Sequence, residues 1–288
     1  TLEFVDGGRV DNKGIELSLR LDNKWGDFGW SSYLTYSLNK NKVVELLRNY
    51  EDPYTHELTS LDRIDMGGTS MYKMILTEGG SIGDIYVNTL RTDEHGAIYV
   101  HPSDQVIVTQ PDEFIKAGNS APKYNLGWGN TFTYKGLSLG CLFTARVGGI
   151  VVSQTQATMD AFGASKVTAD ARDNGGALVN GRPIGAENYY TQIGGSGAQG
   201  GIGSMYVYSA TNVRLAELSV GYDIPINRYV DWIKGLNVSF IGKNLFFLYR
   251  KAPFDPELTA STGTYFQGID MFMSPSLRNL GFSVKVNF

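Results

Sequence analysis

The sequence predicts an all-β chain, because seven segments alternate apolar and polar residues and because short and long connections alternate between them. Both features are typical of an antiparallel transmembrane β-barrel, whose strands carry one apolar face and whose loops are long on one side only. The predicted fold class is therefore an antiparallel transmembrane β-barrel segment of about seven strands with long extracellular loops.

Successive side chains of a strand point to opposite faces, so each segment has an apolar and a polar side. In the first segment, Leu17 and Leu19 share one face, and Glu16 and Ser18 share the other. The fifth segment changes phase around Arg214 to Ala216, which predicts a β-bulge. The predicted strands run Val10 to Asn23, Phe28 to Asn41, Lys123 to Tyr134, Leu137 to Gly149, Ser209 to Asp223, Gly235 to Leu248 and Leu277 to Phe288.

The connections sort by length. The short ones are Lys24 to Asp27, Lys135-Gly136 and Ile224 to Lys234; the long ones are Lys42 to Pro122, Ile150 to Tyr208 and Tyr249 to Ser276. In an antiparallel meander this order puts all short turns at one end of the sheet and all long loops at the other. Within the first long loop, Asp93 to Gly96 predicts a turn between short strands at Ile85 to Leu90 and Ala97 to Val100. A soluble all-β sandwich remains the alternative, although it gives no reason for this sorting.

Composition narrows the function classes. A net charge of -4 argues against nucleic acid as a partner. A single cysteine excludes an internal disulfide, and with 3 His it offers poor material for a zinc site. The absence of any apolar run of about 18 residues excludes a membrane-spanning helix. We expect no cofactor.

Neither a metal site nor a catalytic site is predicted. Asp160, Asp170, Asp173 and Asn174 match no defined calcium loop. The sequence also has no G-x-S-x-G elbow that would expose a nucleophilic serine. We therefore expect no catalytic residues and no enzyme.

Seven strands are too few to close a barrel with such loops, and bacterial single-chain barrels have even strand numbers. We therefore expect residues 1–288 to be the C-terminal part of a larger barrel, with its plug domain and N-terminal strands outside this chain. The segment Thr1 to Phe4 has no features of a signal peptide.

Several short sequence motifs are more specific than the alternation of apolar and polar residues. They are Asn12-Lys13-Gly14-Ile15-Glu16, Ala121-Pro122-Lys123-Tyr124-Asn125-Leu126-Gly127, Asn212-Val213-Arg214-Leu215, Val220-Gly221-Tyr222-Asp223-Ile224-Pro225, Gly242-Lys243-Asn244-Leu245-Phe246, Phe254-Asp255-Pro256-Glu257 and Pro275-Ser276-Leu277-Arg278-Asn279-Leu280-Gly281-Phe282. In this order and spacing the chain resembles the C-terminal barrel region of SusC/RagA-like TonB-dependent transporters of the Bacteroidetes outer membrane. The resemblance covers nearly the whole chain outside the long loops.

The resemblance implies a multi-pass barrel of about 22 strands in the bacterial outer membrane, of which these are the last seven. It implies import of oligosaccharides, or of oligopeptides in some members, without chemistry. Its expected partners are a SusD-like lipoprotein over the mouth, the N-terminal remainder of the same transporter, TonB through that missing part, and membrane lipid with lipopolysaccharide. A dimer of transporter–lipoprotein pairs is left open.

Two sets of residues are candidate sites. The first set lies on the last predicted strand and consists of Phe282, Val284, Val286 and Phe288. These residues form a signal for barrel assembly or simply pack against lipid, and the two roles are compatible. For ligand binding, aromatic faces with polar neighbours suit sugars; the candidates are Tyr189, Tyr190, Tyr206, Tyr208, Tyr265, Phe266 and Arg146. The alternative for the loop aromatics is packing against the lipoprotein or one another.

Aromatic rings on the strands are expected to form a girdle at the membrane interface. These are Trp30, Trp128, Tyr124, Tyr134 and Tyr222. Arg146, Arg20 and Glu217 are expected to face the lumen. Two other functions stay open from the residues alone: an outer-membrane barrel enzyme, and a soluble all-β glycan-binding module.

Overall fold

The computed structural model of the chain describes residues 8–51, 55–102, 107, 109–195, 200–226, 230, 232–258, 260 and 266–288. In chain order the strands are β1 (Arg9–Trp25), β2 (Phe28–Glu45), β3 (Tyr50–Glu51), β4 (Leu58–Thr59), β5 (Arg63–Gly68), β6 (Tyr72–Thr77), β7 (Asp84–Leu90), β8 (Thr109–Asn119), β9 (Tyr124–Tyr134), β10 (Leu137–Val147), β11 (Ile150–Ser153), β12 (Ala177–Val179), β13 (Arg182–Ile184), β14 (Val207–Ser209), β15 (Asn212–Ile224), β16 (Gly235–Arg250), β17 (Ile269–Asp270) and β18 (Asn279–Asn287). The helices are α1 (Gln154–Ala161), α2 (Lys166–Asp173) and α3 (Ala186–Gly194), and Gly203–Tyr206 forms one 3₁₀ turn.

The seven long strands form one antiparallel sheet in the order β1-β2-β9-β10-β15-β16-β18. Each strand therefore pairs with the next long strand along the chain, and this meander confirms the all-β class and all seven predicted strands. The bulge is also confirmed, since the β15–β16 register shifts on either side of Arg214 and Leu215. None of the helices in the described part of the chain has the length and apolarity that a membrane-spanning helix needs.

Strand ends differ from the prediction by a few residues. The fourth strand stops at Val147 rather than Gly149, because Gly148 and Gly149 have φ of 83° and 82° and turn the chain out of the sheet. The first and second strands are longer than predicted and end at Trp25 and Glu45. The tight turn at Lys135-Gly136 is confirmed, since both residues have positive φ, 46° and 86°.

Register gives the sheet two chemically distinct faces. The pairs Leu17–Tyr36, Leu34–Trp128 and Phe143–Trp128 place apolar side chains opposite apolar side chains. The same face continues through Val220–Phe240 and Phe240–Phe282 to the last strand. We call it the apolar face; it is exposed on every long strand, and its exposed members include Ile15, Leu19, Trp128, Leu139, Val220, Phe240 and Phe282.

The opposite, polar face carries small and polar side chains that lie close over its glycines. At Gly129, a Cβ atom would lie 2.1 Å from Cε1 of Tyr33, so the Tyr33 ring covers this glycine across the strand pair. Gly127 and Gly140 are covered in the same way by the hydroxyls of Thr35 and Ser219. Glycine at these positions therefore lets polar side chains of neighbouring strands lie flat on this face.

Aromatic rings mark both ends of the apolar face. At the short-turn end, Trp25 stacks on Phe28 at 6.1 Å, and Trp232 stacks on Phe288 at 5.5 Å. Toward the other end, the rings of Tyr36 and Tyr124 lie 5.6 Å apart. Two indoles of this face also satisfy its polar residues: Trp30 donates to Asn130, and Trp128 donates to Ser32.

The three long connections fold together into one layer at the far end of the sheet. The first contributes a four-stranded sheet, β5-β6-β7-β8, and the second contributes all three helices. Their shared core contains residues from each connection: Met74, Ile85 and Val87 from the first, Val152 and Tyr206 from the second, and Ile269 from the third. We call this the loop layer.

The loop helices were not predicted from the sequence. They are short, and α1 and α2 each begin at a capping serine: Ser153 accepts from the N–H of Gln156, and Ser165 accepts from that of Thr168. Helix α3 begins after Gly185, which provides no side-chain cap. In the first connection, the predicted turn at Asp93 to Gly96 is confirmed by a 3.1 Å hydrogen bond from Gly96 N–H to the Asp93 carbonyl. The strand before it is confirmed as β7, whereas Ala97 to Val100 forms only isolated bridges, Thr92–Ile98 and Val100–Ile107.

A buried hydrogen bond joins the second and third connections. Ser153 Oγ donates to Asp270 Oδ2 at 2.6 Å, where β11 and β17 run parallel. We predict that Asp270→Ala leaves the serine hydroxyl short of one partner and destabilises the loop layer by about 1–3 kcal/mol. Amide hydrogen exchange measures this loss of stability, and it is expected to become faster in residues 150–161 and 266–273.

Asp173→Ala is the matched control, because Asp173 is exposed at the end of α2. Equal exchange in the two variants would show that the second and third connections do not fold as one unit.

Candidate functional site

The polar face carries a cluster of charged side chains where the strands meet the loop layer. On β10 and β15, Thr144 pairs with Arg214, and Arg146 pairs with Asn212. All four side chains belong to the polar face. The residues that lie between them along the strands, Ala145 and Val213, pair with each other on the apolar face. We call Thr144, Arg146, Asn212 and Arg214, with Glu257, the mouth cluster.

Glu257 brings the third long connection into this cluster. Its carboxylate accepts hydrogen bonds from Arg214 Nη2 and, at 3.1 Å, from Asn212 Nδ2. Its position is fixed by Asp255, which is buried and accepts from the Glu257 N–H at 3.0 Å. The hydroxyl of Ser276 also donates to Asp255, so both ends of the connection are tied at one point.

Two atoms of the mouth cluster have unused hydrogen-bonding capacity. Arg146 donates from Nη2 to the Ser120 carbonyl at 2.6 Å, but its Nε is buried and has no partner among the described residues. Asn212 is fully buried, and its Oδ1 likewise has none. A donor and an acceptor therefore lie on directly paired residues, and buried groups of this kind are normally satisfied by water or a ligand.

Positive charge exceeds negative charge around this point. Lys243 and Arg250 of β16 share the polar face, because they pair with Glu217 and Asn212. The four cations Arg146, Arg214, Lys243 and Arg250 therefore share this region with three carboxylates, Glu217, Glu257 and the buried Asp255. Arg146 and Glu217 lie on the polar face, as the alternation of their strands predicted. Arg20 lies on the same face and forms a 2.8 Å ion pair with Asp22.

Three of the predicted ligand-binding tyrosines lie in the core of the loop layer. Tyr189 and Tyr190 are packed edge to face at 5.0 Å, and Tyr206 is 1% exposed. Burial raises the pKa of all three phenols above its usual value, so they are neutral at physiological pH. Their rings are occupied by packing in this structure, and ligand contact by them stays a prediction.

Tyr208 and Phe266 lie at the edge of that core. Tyr208 packs edge to face on Phe254 at 5.3 Å, and burial raises its pKa to about 12. Phe266 has a positive φ of 64° and packs partly buried against the core. Tyr265 lies outside the described residues.

The candidate assembly-signal residues share one face of the last strand. Phe282, Val284 and Val286 pair with Phe240, Val238 and Leu236 on the apolar face. These three residues and Phe288 are exposed, and Phe288 stacks on Trp232. The geometry allows both lipid contact and recognition by an assembly partner.

The acidic residues of the second connection do not gather into a cluster in the described structure. In the part of the chain that the structure describes, no three His, Cys, Asp or Glu side chains gather as metal ligands would. Asp160 is buried in α1 and accepts from Gln156 at 2.8 Å, while Asp170 pairs with Lys166 on the surface of α2.

Glu257, Asn212 and Arg214 were not predicted from the sequence as site residues. Arg214 lies at the predicted bulge, which obscures its face in the sequence pattern. The contact to Glu257 depends on how the third connection folds back, and only the phrase Phe254-Asp255-Pro256-Glu257 marked that segment.

Comparison with known proteins identifies relatives of the chain, although no family model matches it. TonB-dependent receptor P3 of Formosa agariphila is 29% identical over 238 residues, which are 76% of this chain and 22% of the relative. TonB-dependent receptor P26 of the same organism is 23% identical over an alignment that covers 98% of this chain and 29% of the relative. The chain thus spans about a quarter of the length of these relatives.

Solved structures show the same fold. The RagAB peptide importer in its closed-closed state matches with a TM-score of 0.63 at 17% identity, over 98% of this chain and 30% of that one. Its open-open state matches with a TM-score of 0.62 at 16% identity, over 98% of this chain and 29% of that one. The chain is thus similar in sequence to two TonB-dependent receptors and shares the fold of the RagAB importer, which confirms the SusC/RagA-like resemblance of its sequence.

Proposed function

We propose that this chain forms the C-terminal barrel wall and loop layer of a TonB-dependent outer-membrane importer for oligosaccharides or oligopeptides. The observation that carries the proposal is the two-faced seven-stranded meander, with short turns at one end and a folded loop layer at the other. In this proposal residues 1–288 are the C-terminal part of the barrel, and the plug domain and the N-terminal strands belong to other parts of the same protein.

The two sheet edges support this arrangement. β1 and β18 each have a strand partner on one side only among the described residues. An exposed edge presents unpaired backbone N–H and C=O groups, which are costly in a membrane. Further strands of the same barrel would pair with both edges, and TonB would act through the part of the protein that carries the plug.

The mouth cluster is the proposed ligand contact within this chain. Its cations and the unpaired Arg146 Nε and Asn212 Oδ1 suit ligands with carboxylate, hydroxyl or amide groups. Tyr208 and Phe266 at the edge of the core add aromatic surface nearby in the loop layer, and with Tyr189, Tyr190, Tyr206 and Tyr265 they remain proposed contacts. The peptide imported by RagAB supports oligopeptides as one cargo class.

A SusD-like lipoprotein is the proposed partner on the outer side. The loop layer exposes large apolar side chains that a folded surface would normally cover. Phe162 is 80% exposed, Leu178 is 75% exposed and Phe272 is 63% exposed. Phe272 has a positive φ of 51° and is held there by a 2.7 Å hydrogen bond from its N–H to Thr155.

The two other functions have less support. An outer-membrane enzyme needs a catalytic constellation, and the relatives are receptors and importers. A soluble glycan-binding module does not account for an apolar face that is exposed on all seven long strands.

A single substitution tests the proposed ligand contact. Arg214→Met removes a charged donor from the mouth cluster and is expected to weaken ligand binding about tenfold or more, since a hydrogen bond to a charged group contributes about 1.5–3 kcal/mol. The native protein that contains this chain is incubated with one pool of oligopeptides and one of oligosaccharides, and mass spectrometry identifies the retained compounds.

Arg172→Met serves as the control, because Arg172 is exposed on α2, away from the mouth cluster. Unchanged retention by Arg214→Met would remove the mouth cluster from the ligand path. Retention of neither pool by the wild-type protein would contradict the importer itself.

A double substitution tests the proposed lipoprotein contact. Replacing Phe162 and Leu178 together by serine is expected to reduce co-purification of a surface lipoprotein at least severalfold, because both apolar side chains would be buried in the complex. Lys166→Ser with Asp173→Ser is the matched control on the same layer. If the apolar pair can be replaced while the partner stays bound, this surface is not the interface.

A further inference from the structure

An unbalanced pair of lysines lies at the loop-side border of the apolar face. In the β1–β2 hairpin, Lys13 and Lys40 are direct cross-strand partners, one step beyond the apolar pair Ile15–Leu38 on the same face. Both lysines are exposed. Like charges directly opposite each other destabilise a strand pair, so this position favours an anion between them.

Within the part of the chain that the structure describes, no residue supplies that anion. Neither lysine is within ion-pair distance of a carboxylate among the described residues. The next pair outward is Asp11–Lys42, and Asp11 lies 3.9 Å from Arg9. The border therefore carries a local excess of positive charge, although the whole chain has a net charge of -4.

The position along the strand fits the headgroup region of a membrane. About 12 residues separate Lys13 from Trp25, the aromatic residue at the short-turn end of β1, which is about 40 Å along a strand. With the usual tilt of about 40°, this becomes about 30 Å along the membrane normal, against an apolar band of about 25 Å in outer-membrane barrels. The lysines then lie just outside the band.

We propose that Lys13 and Lys40 bind the phosphate of a lipid headgroup at the border of the apolar face. This inference depends on the proposed membrane position of the sheet. The apolar stems of the two lysines lie next to Ile15 and Leu38, and their ammonium groups reach the headgroup level. The acyl chains of the same lipid would cover Ile15, Leu17 and Leu19, which are exposed on the apolar face.

The test uses the native protein that contains this chain, purified in detergent. Native mass spectrometry measures how tightly it retains phosphatidylglycerol, whose phosphate carries a net negative charge, and phosphatidylcholine with the same acyl chains, whose headgroup is neutral overall. We expect a preference for phosphatidylglycerol. Lys13→Gln with Lys40→Gln is expected to weaken its retention about 10- to 30-fold, in line with the usual effect of two lysines at a lipid surface.

Lys24→Gln with Lys285→Gln is the matched control. It removes the same charge from exposed lysines of β1 and β18 on the polar face, and it should retain phosphatidylglycerol like the wild type. The proposal is overturned if the Lys13 and Lys40 variant retains the lipid unchanged, if the control loses as much, or if inorganic phosphate alone binds as tightly as the lipid.

Fractionation separates this inference from the proposed function. A wild-type protein that is found in membranes but shows no lysine-dependent lipid retention contradicts only the lipid site. A protein that is found in the soluble fraction, with no retention of either lipid, contradicts the importer as well.

Discussion

Constant cross-strand register in the seven-stranded sheet determines the rest of the molecule. Because a strand alternates its faces with a period of two, a shift of one residue in any pairing would mix the two faces. The structure keeps apolar opposite apolar from Ile15–Leu38 on the first strand pair to Phe240–Phe282 on the last. The register shifts at the start of β1 and around the β15 bulge, and the apolar face continues on both sides of the bulge. A membrane would tolerate the inner strands of such a sheet, since their backbone hydrogen bonds are made within the sheet and most side chains of one face are apolar.

The sheet also determines where the long connections lie. An antiparallel meander brings every long connection to the same end, where the three can pack on one another. Ile269 of the third connection and Val152 of the second are both fully buried in the core that the first one shares. The loop layer is thus a small folded unit with its own sheet and helices, held over the mouth by β2, which continues from the large sheet to the buried residue Val43.

How much the sequence predicted depends on the range of the interactions. The seven strands, the Lys135-Gly136 turn and the bulge near Arg214 are set by local alternation and local backbone preference, so they were predictable. The loop core was not, because burial of Tyr206 or Ile269 requires contacts between distant segments. The site shows the same division. Arg146 could be placed on the polar face by counting along its strand, whereas Glu257 reaches Arg214 only through the fold of the third connection.

The exposure of the two faces to lipid and water is the central claim, and spin labels measure it directly. In the native protein with Cys141→Ser, single cysteines at Ile15 to Asp22 are spin-labelled, and collisions with oxygen and with a water-soluble nickel complex are compared after reconstitution. Labels at Ile15, Leu17, Leu19 and Leu21 are expected to favour oxygen, and those at Glu16, Ser18, Arg20 and Asp22 the nickel complex, with a period of two. Equal access of nickel to all eight positions would contradict the account, because the apolar face would then lie in water.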